Sequence, residues 1–171
     1  DTGLGLGPTR LLGGITFSLG LVMVVVGGGE LFTGNTMLTM AWAGRRISTA
    51  LLLKNWAVIY AGNFIGSLAT AFLVHGSGSL GMGDGALLHT VVKIAESKAH
   101  LPFDEIFLRG ILCNVLVCMG VWLALRARRV GGKIAAIVFP VSAFVAMGFE
   151  HCVANMYLIP VGMLSGAQVS L

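Results

Sequence analysis

The chain has 171 residues, of which 56% are hydrophobic and only 11% charged, and its formal net charge is +4. A soluble domain carries about 25% charged residues, so this composition excludes an ordinary soluble enzyme and points to an integral membrane protein. The surplus of Lys and Arg lies mostly in short connections, so it bears on membrane topology and excludes a nucleic-acid surface.

The apolar runs are long enough to cross a bilayer as helices, and the 25 glycines suit close helix packing there. The expected class is therefore an all-α membrane protein, with residues 1–171 forming a single transmembrane domain. Residues 1–10 read as a Gly-rich loop with Pro8, ending at Arg10. The first spanning element covers about 11–43. It weakens at Gly27, Gly28 and Gly29, fails at Glu30, stays irregular through Thr33 and resumes near Thr36, which puts a break near 30–36. A second element covers about 55–74, where Gly62 and Gly66 have the spacing of a closely packed helix face. The loop 75–103 follows, and Leu87 to Ala99 within it suits an amphipathic surface helix. A third element runs about 103–125 with Asn114 at its centre. The fourth covers about 134–164, broken near 149–153. Cys113, Cys118 and Cys152 all lie in apolar segments and read as small core residues, not as disulfides or metal ligands.

Two basic connections, 43–54 and 126–133, hold seven of the eleven Lys and Arg residues. Cytoplasmic loops collect such charge, so both connections are expected inside and the 75–103 loop outside. No signal peptide is visible.

The two breaks carry the chemistry. Gly29-Glu30-Leu31-Phe32-Thr33-Gly34-Asn35 and Gly148-Phe149-Glu150-His151-Cys152-Val153-Ala154-Asn155 each place a Glu after a glycine approach, with an Asn five residues on. Ionisable groups inside apolar spans are costly and usually face a protein interior or an aqueous path. A broken helix exposes N–H groups at the start of its second half, and these favour an anion. Two facing breaks would make an anion constriction, with His151 placed to donate or share a proton and Thr33 to supply a hydroxyl. The plainer roles are structural. A membrane histidine is often an interhelical hydrogen-bonder, and Asn35, Asn114 and Asn155 can simply satisfy freed backbone groups. Glu30 and Glu150 are read as caps on the half-helices that begin at Thr33–Asn35 and Val153–Asn155, in preference to substrate contacts. Phe17, Leu21 and Phe144 are core or lipid-facing by default. No set of metal ligands, nucleophile–base pair or phosphate loop is present, so neither an enzyme nor a cofactor is expected.

Glu30-Leu31-Phe32-Thr33-Gly34-Asn35-Thr36, Lys54-Asn55-Trp56, Gly62-Asn63, Gly110 to Cys118 and Phe149 to Met156 resemble the formate/nitrite transporter family, in order along almost the whole chain. The resemblance implies an aquaporin-like helical bundle with two broken helices, a homopentamer in the bacterial inner membrane, and a pore in each protomer. It implies an Ω-shaped loop at Leu31-Phe32-Thr33 and an S-shaped loop centred on Glu150-His151. It places the central histidine on His151, the Ω-loop threonine on Thr33 and the apolar gate on Leu21, Phe144 and nearby Phe17. Phe32, Asn114 and Asn155 then line the path, and Lys98 attracts anions from the outer loop. Family members have six helices. This chain carries sequence for four, the second to the fifth, so a fragment of a longer parent is expected.

The function implied is a channel or transporter for small monovalent anions, formate first and nitrite next, with coupling to protons through His151. Hydrosulfide and lactate are carried by relatives. The alternative is an aquaporin-like channel for neutral solutes, but its paired Asn-Pro-Ala boxes are not here, since Thr36 follows Asn35 and Met156 follows Asn155. A non-conducting membrane anchor is the third reading.

Overall fold

The computed structural model describes residues 3–169, so the ends of the 1–171 domain assignment lie outside the described residues. Eight α-helices follow one another among those residues: α1 Leu6–Gly27, α2 Phe32–Asn35, α3 Leu38–Ala43, α4 Thr49–Gly76, α5 Ala86–Ala99, α6 Phe103–Arg126, α7 Val130–Ala146 and α8 Cys152–Leu164, with a 3-10 turn at Ser79–Gly81. Helices α1, α4 and α6 are long and apolar enough to cross a membrane. Shorter α7 and α8 are apolar as well.

Several boundaries differ from expectation. The opening loop gives way to helix at Leu6, because Pro8 sits in the first turn, where no N–H is required of it. Helix α4 starts at Thr49 instead of Asn55. Ser48 Oγ accepts from Leu51 N at 3.2 Å, and Lys54 lies on the helix, its aliphatic stem compatible with an apolar face. Helix α7 likewise starts at Val130, after the extended residue Arg129. The basic connections are thus shorter than the charges suggested. Helix resumes at Phe32, not Thr36, as the single turn α2. Gly62 and Gly66 are not packed by any described residue, for nothing lies within 4 Å of a Cβ at either position.

The chain divides into two compact units, Asp1–Ile59 with Leu108–Glu150 and Tyr60–Phe107 with His151–Leu171. The first is built on the crossing of α1 and α7. Gly14 makes that crossing close: a Cβ there would stand 2.6 Å from the Ser142 Cα, so the backbones meet where only hydrogen fits. Around it Leu21, Val117, Ile137, Val141 and Phe144 form the buried core. Gly120 lets α6 join them, its Cβ position 3.7 Å from Pro140 and 3.8 Å from Leu21.

The second unit centres on Ala71, Leu80 and Val161, with Val74, Val91, Tyr157 and Leu164 against them. Here α5 packs along α8. The amphipathic helix expected over 87–99 is α5, with Ala95 fully buried.

Candidate functional site

Both breaks are built the same way. Helix α1 ends at Gly28, left-handed at φ +78°, with its N–H returning to Val24 O. Helix α7 runs out at Met147, and Gly148 follows in the left-handed region at φ +72°. This is the glycine-terminated end that lets a chain leave a helix without strain on a Cβ. Three residues after each glycine the chain is extended, at Leu31 (φ −125°) and His151 (φ −116°), and a new helix begins. The Leu31 and His151 carbonyls then accept from Asn35 N at 2.9 Å and Asn155 N at 3.0 Å. Glu30 and Glu150 therefore occupy the same place, just before the residue that starts the second helix.

Their surroundings differ. At the first break Asn35 Nδ2 donates to Glu30 Oε2 and to Asn55 Oδ1, the latter at 3.1 Å. The Trp56 indole donates to Asn35 O at 3.0 Å, and its ring meets Phe32 edge-on, centroids 6.3 Å apart. Helix α4 thus grips the loop through Asn55 and Trp56. Helix α6 grips it from another direction. Thr36 Oγ1 donates to Thr33 O at 2.7 Å and accepts from Asn114 Nδ2 at 3.1 Å, with Cys118 Sγ 3.3 Å away. Cys118 Sγ also lies 3.8 Å from Thr33 O. Thr33 is buried, and these bonds engage its carbonyl, not its hydroxyl. The Asn114 Oδ1 is buried without a hydrogen-bond partner.

At the second break Glu150 and His151 are 7% and 6% exposed, deep burial for ionisable groups. His151 is itself the N-cap of α8: its Nδ1 accepts from Ala154 N at 3.1 Å. The sequence reading gave that capping role to Glu150. The correction follows from reach, since an N-cap side chain accepts from an N–H two or three residues ahead, and His151 stands three before Ala154. With Nδ1 accepting, the neutral ring carries its proton on Nε2, a donor for an anion oxygen. Arg10 supports the same stretch from α1. Its Nη1 donates to Ala146 O at 3.3 Å, placing a cation at the C-terminal end of α7.

Of the expected gate, Phe17 and Phe144 meet edge-on with centroids 5.7 Å apart and planes at 87°. Leu21 belongs to the same buried cluster as Phe144. Phe32, Thr33 and Asn114 lie in the network of the first break. His151, Asn155 and Lys98 belong to the second unit. The roles of Asn55, Trp56, Thr36 and Cys118 were missed. A polar Asn inside an apolar helix is the available signal for Asn55, since it needs a partner.

A sequence profile described as formate/nitrite transporter matches residues 2–171. The formate channel FocA of Haemophilus influenzae is 43% identical over 159 residues, covering 93% of this chain and 56% of that protein. The formate channel FocA of Escherichia coli K12 is 41% identical over 158 residues, covering 92% of this chain and 55% of the other. Among solved structures, a pentameric formate channel with formate bound superposes with a TM-score of 0.84 at 36% identity, covering 94% of this chain and 63% of that one. An FNT family ion channel gives 0.82 at 36% identity, covering 92% and 63%. The chain spans about half the length of the curated relatives it matches.

Proposed function

The chain belongs to the formate/nitrite transporter family, and from that premise we propose that it forms part of the conducting path of a homopentameric channel for small monovalent anions, formate first and nitrite next. It is a multi-pass membrane protein. In this reading it is one transmembrane domain of the bacterial inner membrane. Helices α1–α3 and α7–α8 are its two broken spans and α4 and α6 its unbroken ones. The connections within 43–54 and 126–133 face the cytoplasm, and 75–103 faces outside. The work is conduction, and no catalytic reaction is assigned to it.

One observation carries the reading: a buried histidine, beside the buried Glu150, caps a half-helix at a break between two uncharged apolar stretches. Here the positive end of the α8 dipole favours an anion, and the Nε2–H of His151 offers it a hydrogen bond. Phe17, Leu21 and Phe144 form the apolar gate, which penalises a bare anion by several kcal/mol. A proton taken up by the ring at Nδ1, which releases the Ala154 N–H, makes an imidazolium whose Nε2 proton can pass to formate; this relieves that penalty, and formate crosses the narrowest part as the neutral acid. Phe32, Thr33, Asn114 and Asn155 line the path, Lys98 gathers anions at the outer side, and Glu30 and Glu150 orient the two loops.

The test is flux through the intact channel in liposomes, with formate, nitrite, hydrosulfide, lactate and water compared side by side. Rapid formate uptake that slows as the pH rises through the histidine range is expected. Water flux without anion flux would replace this reading with the aquaporin-like one.

A further inference from the structure

Helix α6 ends at Arg126 and α7 begins at Val130, so residues 127–129 alone join them. The turn is tight, for a Cβ at Gly132 would stand 3.3 Å from the Ala127 Cβ. It gathers four cations, Arg126, Arg128, Arg129 and Lys133, at one end of the two helices. Residues 106–149 hold no Asp or Glu, and among the described residues no ion pair engages these four side chains. Arg126, Arg128 and Arg129 are exposed. The Arg126 guanidinium lies over the Trp122 ring, 5.3 Å from its centroid, a cation–π contact that orients the charge. Helix α7 starts without a side-chain cap. The N–H groups of Val130, Gly131 and Gly132 precede its first intrahelical bond, from Lys133 N to Arg129 O at 3.1 Å, so they have no partner within the helix. Nothing lies within 4 Å of a Cβ at Gly131, which leaves that first turn open. Trp122, Leu125 and Val130 are 45%, 67% and 55% exposed, so the cations border an apolar surface.

We propose that the α6–α7 turn is a binding site for the phosphate of an anionic phospholipid. Helix α6 is long and apolar enough to cross a membrane, which brings its last turn to the headgroup level, where Trp side chains collect. A phosphate there meets arginine forks that match its oxygens and the unpaired N–H groups at the positive end of the α7 dipole. A basic cluster just beyond a membrane helix attracts acidic headgroups, each cation contributing about fivefold in affinity. The occupant is a lipid because the cations border exposed Trp122, Leu125 and Val130. Acyl chains gain contact with that apolar surface, and inorganic phosphate has nothing to lay on it. The lipid is anionic because a zwitterionic headgroup brings an ammonium that the four cations repel. The inference needs only a membrane location for the chain, and it holds whether or not the protein conducts formate.

The experiment adds phosphatidylglycerol, phosphatidylcholine or inorganic phosphate to the intact protein in a nonionic detergent and measures the affinity for each by native mass spectrometry. Phosphatidylglycerol should bind most tightly. Arg128→Gln together with Arg129→Gln should lower its affinity about 20-fold, at about fivefold for each cation, and leave phosphatidylcholine nearly unchanged. Arg126→Gln should lower it about fivefold. Gly131→Asp adds a carboxylate where the structure has room and where a helix start favours one. Its melting temperature should therefore match or exceed the parent's while its affinity for phosphatidylglycerol falls at least as far as in the double variant. This variant keeps the test decisive if loss of the arginines impairs folding. Arg45→Gln with Arg46→Gln removes two cations from the other basic connection and should change the affinity less than twofold. The proposal is overturned if the parent binds both lipids alike, or if Gly131→Asp keeps the parental preference. It is also overturned if the Arg45 and Arg46 changes cost as much as those at Arg128 and Arg129, for that is an effect of net charge alone. Inorganic phosphate binding as tightly as phosphatidylglycerol would overturn it as well, by making this a site for the free anion.

Discussion

Gly28 and Gly148 share one conformation, at φ +78° and +72°, and each stands three residues before the extended residue that starts a new helix. The left-handed region costs a residue with a Cβ about 1–2 kcal/mol. Nothing lies within 4 Å of a Cβ at Gly28, whereas at Gly148 it would stand 3.3 Å from Arg10 Nη1. Gly28→Ala should therefore lower stability by about 1 kcal/mol through the backbone alone. Gly148→Ala should lower it further, because the Arg10 bond to Ala146 must shift as well. Thermal melting of the two variants in detergent checks the order, and Arg10→Ala should narrow the gap between them.

The close crossing at Gly14 gives a sharper case. Its Cβ position lies 2.6 Å from Ser142 Cα and 2.9 Å from the Ser142 carbonyl oxygen, and a backbone cannot turn aside as a side chain can. Gly14→Ala should destabilise by about 1–3 kcal/mol. Gly20→Ala on the same helix, with nothing within 4 Å, should be close to neutral. Equal melting temperatures for the two would contradict the packing described.

Legibility followed physical range. The apolar runs, the surface helix and both breaks could be read because each depends on neighbours within a turn or two. Helix starts were misplaced where a local rule was applied too strictly. Lys54 reads as a loop charge although its stem suits a helix face, and Pro8 as a loop residue although a first turn accepts it. The cap at α8 was given to the carboxylate when the imidazole one residue later has the right reach. The bonds that tie the first break to α4 and α6 join residues 20 to 85 positions apart, and no periodicity encodes them. The expected gate residues Phe17, Leu21 and Phe144 came from the family resemblance, since an apolar side chain in an apolar helix carries no signal of its own, whereas His151 stood out as an ionisable group in an apolar span.

The Thr36 hydroxyl gives one bond and receives another, so the network should respond as a unit. Thr36→Val leaves Asn114 Nδ2 without the acceptor it has at 3.1 Å and Thr33 O without its 2.7 Å donor. A buried group left unpaired costs about 1–3 kcal/mol. Asn114→Leu removes the amide altogether. In the double variant the loss should be smaller than the sum of the two, by about 1 kcal/mol. Additive losses would mean that the two side chains do not act on each other.

His151 performs two tasks that substitution can separate. Its Nδ1 caps α8 by accepting from Ala154 N at 3.1 Å, and in the mechanism proposed above the ring passes a proton to the anion through Nε2. Asparagine is a strong N-cap, so His151→Asn should keep the fold and the half-helix. It has no group that titrates near neutrality, so it cannot pass on a proton. Formate uptake through this variant should become slow and nearly independent of pH between 5 and 8, while its melting temperature stays near the parent's. His151→Phe removes both tasks. It should lose about 1 kcal/mol from the missing cap, and with no imidazole to meet the anion its uptake should fall to background. The measurement is formate uptake against external pH, with melting of each protein in parallel. An unchanged rate and pH profile in His151→Asn would reduce His151 to a helix cap and remove the proton step from the mechanism.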